Sequence, residues 1–504
     1  MMMWKPITLC WRKVPPVDLV LPLFIAVTVR LFLILRWPHF AYEDALITFR
    51  YAENLAKGIG FVYNPGERVL GSTTPLYGLV LALFHKLGLD IFVSAAVFNL
   101  VCDVVWLYLF MQTLMSTIND PARRDIAMAV GVFLGTYFPF LRVTVSRMET
   151  SLFLLFVTAA LWAFMHRRQV LLGVVLGGLV LTRIDGLVLL VIILGWFLWR
   201  HRFVPILLLI GIGVLLIPYG LFTTVYFGSP IPHSAVAKAV IYPSVFADQF
   251  SRVDSLITLA KHIFAGNLYH RLLLVPFALV GFTILMRTRA TWFMVLLALF
   301  ILYFTGLGLS NTYVVHEWYL APLFLVYGVS VGSGIGLLGN RLLSVLKTSA
   351  LGRSLVIVLL ATTFVLVNVY IAADKTEKDY RFDRNALQNI GLYLREHASP
   401  NQSVLLEPIG YIGYYSGLRI YDAMGLVSPE AIVYFLNYGV KDYMVAWALD
   451  ALPDFAVLKP LEFQQATPER YQAFLQRYQL AREVKVYNQV TRKEVVFMVF
   501  QRRE

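Results

Sequence analysis

Two adjacent carboxylates, Glu43 and Asp44, open the first polar stretch of any length in the sequence, residues 41–77. They directly follow a long apolar segment, and this position indicates a site at the surface of a membrane. A carboxylate there can act as a general base, bind a metal ion or cap the N-terminus of a helix. Because Asp44 immediately precedes a helical pattern over residues 45–57, the sequence leaves both catalysis and capping open for this residue.

Further along the chain, ionisable residues stand in polar segments between apolar ones. Each also has an ordinary structural explanation, since a helix N-terminus favours a carboxylate, an outer loop solvates a Lys, and a turn uses an Asp. The candidates for binding or chemistry are Arg147, Glu149, Arg183, His233, Lys238, His316 and Asp422.

Two of these candidates sit where an apolar segment begins or turns. Glu149 begins an apolar segment, where the helix dipole alone would favour it. Arg183 and Asp185 separate two short apolar pieces, residues 170–181 and 187–199, which are typical of a re-entrant hairpin or two short spans. The two charges would neutralise each other at its tip, although charges at such a depth are also often functional.

The composition indicates the class of protein to which these residues belong. Hydrophobic residues make up 59% of the chain, charged residues 14%, and the mean hydropathy is +0.70. Soluble domains contain about 25% charged residues, a much larger fraction than this chain has. Apolar windows of about 15–22 residues recur along the chain, and together these features predict a polytopic α-helical membrane protein. The net charge of +13 comes from Lys and Arg in short loops, a pattern of cytoplasmic loops rather than of nucleic-acid binding. Cys10 and Cys102 fit neither a disulfide framework nor a zinc site.

The positions of the basic residues predict the topology. Lys and Arg precede the first apolar segment, so the N-terminus is expected in the cytoplasm. The Arg pair at 123–124 marks another cytoplasmic loop, and residues 74–87 are therefore predicted to form a helix in the outer interface without crossing. This gives about 11 membrane segments within residues 1–373, with a first outer loop at residues 38–90.

Residues 374–504 have the composition of a soluble domain. Helical and strand patterns alternate there, which predicts a small extracytoplasmic α/β domain. Asp422 lies in this domain among glycines and tyrosines, where a turn role and a functional role are both open. The expected helices are 383–396 and 467–478, and the expected strands are 404–406, 455–458 and a hairpin of 483–487 with 495–500.

All the candidate groups fall on the outer side of this topology, beneath the C-terminal domain. Acidic, basic and aromatic groups there suit chemistry on an amphiphile with a charged head, and a lipid-linked phosphosugar fits best. Arg147, Arg183 and Lys238 could hold the phosphate, while a carboxylate deprotonates an acceptor hydroxyl that attacks the anomeric carbon. The alternative is a transporter or flippase of an amphipathic lipid-linked substrate, but no internal repeat of the kind common in transporters is detected.

The motifs also resemble those of a known group of proteins. The first outer loop contains EDALITFRYA, GIGFVYNPGE and GSTTPL, and later segments read RMETSLF, LTRIDG, PIPHSAVAK and YYSGLRIYDAMGL. In this order they resemble the GT-C glycosyltransferases that use polyprenyl-phosphate sugars. The likeness is greatest to the cell-wall arabinofuranosyltransferases and more distant to the protein O-mannosyltransferases and the lipid A aminoarabinose transferases. It runs along nearly the whole chain.

This resemblance implies a GT-C fold and an inverting transfer of a sugar from a polyprenyl-phosphate donor. The acceptor would be a lipid, glycan or protein on the outer face of a cell membrane, such as a bacterial plasma membrane. Membrane lipids are the other expected partners, and no nucleic acid is expected. No resident cofactor follows from the sequence, while a divalent metal ion is left open.

The resemblance also assigns roles to matching positions. Asp44 would be the catalytic base, Glu43 its neighbour and Glu149 a second acidic residue of the site. Three positions depart from the pattern, because Glu43 stands where Asp is usual, Ile184 replaces Pro, and His233 replaces Asn. The residues expected to bind donor phosphate or substrate are Lys238, Arg183, Arg147, His233, His316 and Asp422.

Overall fold

The computed structural model describes residues 16–246, 257, 259–260, 270–288, 291–309, 317–345 and 350–503. Apolar side chains of its helical bundle form one large buried core. The helices up to residue 246 are α1 Pro16–Arg36, α2 Glu43–Ala56, α3 Pro75–Lys86, α4 Ile91–Thr117, α5 Arg123–Thr136, α6 Phe138–Val145, α7 Thr150–Met165, α8 Gln169–Thr182, α9 Leu187–His201, α10 Ile206–Phe227 and α11 His233–Phe246. The later helices of the bundle are α12 His270–Arg287, α13 Thr291–Leu309, α14 Ala321–Val345 and α15 Ala350–Asp383.

The apolar helices make the chain a multi-pass membrane protein. Six helices of the described ranges are long and apolar enough to cross a membrane, and α5 with α6, bent by 49°, raises the number to seven. Helices α7, α8, α12 and α13 are apolar but shorter. The predicted fold class is confirmed, while the predicted count of about 11 segments would require these shorter helices to cross as well.

A buried ion pair ties three of these helices together. Arg30 of α1 donates from Nε to Asp103 Oδ2 of α4 at 3.0 Å and to Thr144 Oγ1 of α6 at 3.2 Å. Trp106 donates to the other oxygen of Asp103 at 2.7 Å. Each charge is almost completely shielded from solvent and each has a partner, as buried charges require. This network holds α6, which carries a residue of the candidate site described below.

Helix α15 continues beyond its apolar part without a break. A π turn, Arg384–Gln388, connects it to α16, Asn389–His397, so the helical path extends from residue 350 to residue 397. The helix expected at 383–396 is therefore the outer end of the last apolar helix. The proposed domain division at residues 373/374 falls inside α15, where no capping or breaking residue interrupts the helical pattern.

The C-terminal part forms a five-stranded sheet of order β2-β1-β3-β5-β4. Strand β1 is parallel to β2 and β3, whereas β5 is antiparallel to β3 and β4. The elements are β1 Ser403–Leu406, α17 Gly410–Ser416, β2 Arg419–Asp422, α18 Glu430–Ala451, β3 Phe455–Leu458, α19 Pro460–Gln464, α20 Pro468–Arg477, β4 Tyr478–Asn488 and β5 Lys493–Arg502. The expected strands, hairpin and helix at 467–478 are confirmed, but β2 and α18 were not predicted. Strand β2 is only four residues long, and the non-helical Gly439 interrupts the pattern of α18.

The first outer loop is bound firmly to this C-terminal part. Helices α2 and α3 confirm the helical patterns read there, and α3 packs against α2 and α4. Arg50 of α2 donates to the carbonyls of Tyr63, Gly413 and Leu418 at 2.9, 2.6 and 2.6 Å. Asn64 exchanges two hydrogen bonds with the backbone of Ile420 at 2.9 and 3.0 Å. The NPG turn therefore pairs with β2 and fixes the loop against the domain.

Candidate active site

Asp44 lies in the first turn of α2 and faces a cavity. The N-cap of this helix is Tyr42, whose side chain makes no capping bond, so the capping interpretation of Asp44 is wrong. Asp44 is half-buried and lines a cavity of about 740 Å³. An acid in the first helical turn is favoured by the helix dipole, which supports the position of Asp44 without occupying its carboxylate.

The cavity lies between three parts of the molecule. The first outer loop contributes one wall, the outer ends of the apolar helices the second, and the C-terminal domain the third. Its described lining contains eight carboxylates and three cations. The carboxylates are Glu43, Asp44, Glu317, Asp379, Asp383, Glu407, Asp422 and Glu462, and the cations are Arg142, Lys375 and Lys459. The cavity is therefore strongly acidic.

The cations of the cavity are already held by carboxylates. Arg142 of α6 donates to Glu317 at 2.6 Å and also to Asp379. Lys459 binds Glu407 at 2.5 Å and Glu462 at 3.1 Å. These pairs neutralise part of the charge and fix the walls. None of these paired residues is among the site residues predicted from the sequence, because no local pattern shows that the fold brings them to one cavity.

Glu43, the neighbour of Asp44, joins α2 to the C-terminal domain. Its carboxylate accepts hydrogen bonds from the backbone N–H groups of Gly410 and Tyr411, the latter at 2.9 Å, at the N-terminus of α17. A Cβ atom at Gly410 would lie 2.7 Å from the Glu43 carboxyl carbon, so only glycine allows this approach. Burial raises the pKa of Glu43 to about 8, although the backbone hydrogen bonds lower it. The Glu43 carboxyl group thus links α2 to α17.

Lys238 of α11 lies close to Asp44. It forms a hydrogen bond with Tyr319, and its ammonium group lies 5.9 Å from the centre of the Tyr242 ring. Burial acts to lower the pKa of Lys238, but Tyr319, Asp44 and Tyr242 together raise it above its ordinary value. Lys238 therefore stays protonated near Asp44, and the structure brings the predicted base and a predicted phosphate-binding residue close together.

Glu149, Arg183 and Asp185 form a second charged group. Arg183 binds Asp185 at 2.6 Å, and its Nε lies 3.8 Å from Glu149. It also donates to the carbonyl of Trp318 at 2.9 Å, so most of its donors are engaged. The expected neutralisation of Arg183 by Asp185 is confirmed. Glu149 is buried and close enough to Asp44 for the two carboxylates to repel each other.

Arg147 is placed differently from the prediction. Its guanidinium is buried and donates to the backbone carbonyls of Phe92 at 3.0 Å, Pro38 at 2.8 Å and Phe40. Its backbone has the left-handed φ of 58°, and its own carbonyl accepts from Tyr77. These bonds join the end of α6 to the segment before α2. Because its guanidinium nitrogens all donate to backbone carbonyls, Arg147 supports the surrounding backbone instead of offering donors to a ligand.

The remaining predicted residues have separate surroundings. Asp422 is buried, and its carboxylate accepts from the N–H groups of Met424 and Val427 at 2.9 Å each, as the turn interpretation predicts. Burial raises its pKa to about 6 in spite of these bonds. Within the described ranges, the buried Nε2 of His233 has no hydrogen-bond partner, and burial lowers the pKa of this residue. His316 lies outside the described residues.

No group of three or more His, Cys, Asp or Glu side chains is arranged to hold a metal ion in the part of the chain that the structure describes.

The comparison with known families matches residues 372–498 to a domain of unknown function, DUF8728. The terminal beta-(1→2)-arabinofuranosyltransferase of Mycobacterium tuberculosis is 27% identical over 219 residues, or 39% of this chain and 34% of that protein. The aligned part thus spans about a third of that relative.

Solved structures resemble almost the whole chain. The apo oligosaccharyltransferase of Archaeoglobus fulgidus superimposes with a TM-score of 0.56 at 14% identity, covering 91% of this chain and 70% of its own. The complex of that archaeal enzyme, AglB, with an inhibitory peptide and a dolichol-phosphate has a TM-score of 0.56 at 13% identity, covering 95% and 74%. Apo ArnT of Cupriavidus metallidurans has a TM-score of 0.52 at 14% identity, covering 95% and 97%. The chain therefore has the GT-C fold that its motifs predict.

Proposed function

We propose that this protein is a GT-C glycosyltransferase that transfers a sugar from a polyprenyl-phosphate donor to an acceptor on the extracytoplasmic face of the membrane. The observation that carries the proposal is the position of Asp44. Among the described residues, its carboxylate has no hydrogen-bond partner and faces the cavity, whereas the neighbouring Glu43 is bound to α17. The relatives support the reaction class, since one is an arabinofuranosyltransferase and another was solved with dolichol-phosphate and a peptide.

The proposed reaction is a single displacement. Asp44 accepts the proton of an acceptor hydroxyl while the hydroxyl oxygen forms a bond to the anomeric carbon. The bond from that carbon to the donor phosphate oxygen breaks on the opposite face, so the configuration inverts. The leaving polyprenyl phosphate takes the electron pair, and protonated Lys238 stabilises its negative charge. Arg183 contributes less, because Asp185 and Glu149 already balance its charge.

The proposal includes an orientation in the membrane. The distribution of basic residues among the loops supports an N-terminus in the cytoplasm and a C-terminal domain outside. Glu43 and the Arg50 bonds hold the outer loop and the domain together, so both walls of the cavity lie on the same side of the membrane. The transporter alternative finds no support among the similar proteins, which are transferases.

The test uses purified full-length protein and a radiolabelled polyprenyl-phosphate sugar. Asp44→Asn removes the base and keeps the shape, and we expect turnover to fall about 10³-fold, within the usual range for loss of a general base. Glu469→Gln is the matched control, because Glu469 is an acid in the first turn of α20, away from the cavity. Unchanged turnover of Asp44→Asn would remove Asp44 from this role. Absence of transfer by the unmodified protein with any polyprenyl-phosphate sugar would overturn the proposed activity.

A further inference from the structure

Helix α15 lines the acidic cavity with one face, and a second cavity lies against another of its faces. It has a volume of about 860 Å³ and opens between α15, the π turn and α16 on one side and strand β4 on the other. We call it the basic groove. Its described lining contains the cations Lys378, Arg381, Arg384, Arg482 and Lys485 and the single carboxylate Glu483.

Two cations of the basic groove are not neutralised by any described carboxylate. Within the described ranges, neither Arg384 nor Arg482 forms an ion pair. Arg482 donates to Asn389 Oδ1 at 3.2 Å and lies over the ring of Tyr393, 4.8 Å from its centre. These contacts hold the guanidinium in place without neutralising it, which prepares it for an anionic ligand. The other three cations have neighbouring carboxylates, in the pairs Lys378–Asp374 at 2.6 Å, Arg381–Glu377 at 2.6 Å and Lys485–Glu483 at 3.0 Å.

The rest of the lining is suited to a hydroxylated ligand. Side-chain amides can donate to and accept from the same hydroxyl group, and an exposed aromatic ring can cover the apolar face of a sugar. Tyr487 lines the basic groove with 58% of its surface exposed, and most of the groove lining is polar. The lining amides are Asn385, Gln388, Asn389 and Gln489.

We propose that the basic groove binds an anionic glycan, one whose sugars carry carboxylate or phosphate groups. The proposal rests on the proposed function, since such a glycan would be part of the acceptor. The two cavities are lined by residues adjacent in the chain at two places: Asp383 of the acidic cavity precedes Arg384 of the groove, and Val490 of the cavity follows Gln489 of the groove. A chain that lies in the basic groove can therefore extend around the β4–β5 turn toward Asp44.

The position of the basic groove favours a glycan over lipid headgroups. Arg384 follows the predicted end of the last apolar segment, residue 372, by about 12 residues, or about 18 Å of helix. A headgroup layer is only about 5–8 Å thick on each side of the hydrocarbon core. Most of the groove therefore stands above the layer in which lipid phosphates lie, and a polymer in the extracytoplasmic space can reach it.

The test measures binding to full-length protein in neutral lipid nanodiscs, without donor. The probes are a hexasaccharide of hyaluronan, which carries uronic acid carboxylates, and maltohexaose, which is neutral and of the same length. We expect the hyaluronan hexasaccharide to bind and maltohexaose to bind at least about tenfold more weakly. Arg384→Glu/Lys485→Glu should weaken binding of the acidic probe by about tenfold or more. Lys441→Glu/Arg503→Glu, which changes the net charge equally at exposed sites outside the groove, should change it less than about twofold.

Failure of this proposal is separable from failure of the proposed function. The binding measurement requires no turnover, and the Asp44→Asn comparison changes a residue that lines the acidic cavity and not the groove. Equal weakening by both double variants would show nonspecific attraction to net charge and would overturn the proposal. So would binding of vesicles containing phosphatidylglycerol through Arg384 and Lys485 without binding of the hexasaccharide, since the groove would then serve lipid headgroups.

Discussion

The acidic cavity and the basic groove are built on different faces of one helix, yet their charges are organised in opposite ways. In the cavity, Arg142 and Lys459 are each held by two carboxylates. In the basic groove, the described part of the chain gives Arg384 and Arg482 no ion pair. In the cavity, paired charges surround Asp44, whereas the groove contains two arginines that no described carboxylate neutralises. This contrast in charge pairing fits the two proposals, a reaction in the acidic cavity and attraction of an anionic ligand by the basic groove.

Among the variants that test this comparison, removal of a cavity cation should reduce the stability of the protein most. Arg142→Ala leaves Glu317 and Asp379 without their common partner, and only 7% of the Arg142 side chain is exposed. We expect a loss of about 3–5 kcal/mol of stability, as for other broken buried pairs. The midpoint of thermal unfolding in detergent measures it, and Arg142→Lys should recover part of the loss. A midpoint equal to that of the unmodified protein would contradict the view that the cavity depends on its ion pairs.

Separation of the cavity walls should have the next largest effect. In Gly410→Ala, the added methyl group collides with Glu43 and pushes α17 away from α2. We expect a loss of about 1–3 kcal/mol and faster proteolysis of the C-terminal domain. Gly220→Ala is the control, because a Cβ atom there meets nothing within 4 Å. If both variants unfold alike, Glu43 does not hold the two walls together.

The contact between Glu43 and α17 should also make the stability depend on pH. The pKa of Glu43 is raised from its ordinary 4.5 to about 8. Since the folded state binds the proton more tightly, its stability from this group is complete below about pH 4.5 and decreases as the pH rises to about 8. Glu43→Gln should therefore flatten the decrease of the unfolding temperature between about pH 5 and 8. A curve parallel to that of the unmodified protein would show that another group causes the pH dependence.

Removal of a groove cation should have the smallest effect on stability. The side chain of Arg381 is 60% exposed and pairs with Glu377 one helical turn away. Such surface pairs contribute about 0.3–0.5 kcal/mol, so Arg381→Ala should change the unfolding temperature by about 1 °C or less. A loss comparable to that of Arg142→Ala would remove the contrast between the two surfaces.

Much of the fold was accessible from the sequence. Apolar windows, basic loops and glycine stops are local signals, and they predicted the helices α2 and α3 and the strands of the C-terminal sheet. Strand β2 was the exception and was not predicted, because four residues are too few to show a clear alternation of apolar and polar side chains. The continuity of the helical path from residue 350 to residue 397 was not predicted. Its apolar and polar halves differ in composition, so they were assigned to two separate helices although their helical period is the same.

The candidate site was accessible only in part. The motif around Asp44 and the pair of Arg183 with Asp185 were recognised, because both lie within short segments of sequence. The role of Arg147 was not, since nothing local shows that backbone carbonyls occupy its guanidinium. Contacts between a charged side chain and residues far away in the sequence cannot be read from a local pattern.

Hydrophobicity and motif spacing act along the chain, so the sequence alone predicted a helical membrane protein with GT-C motifs and a C-terminal α/β domain. Both adjacent carboxylates line the cavity, and the fold distinguishes them by their hydrogen bonds. Glu43 binds the N-terminus of α17, whose Gly410 is 367 positions away, and this leaves Asp44 toward the open space. The physical reason is that such long-range contacts are specified by packing and by the orientation of helix termini, which no local pattern records.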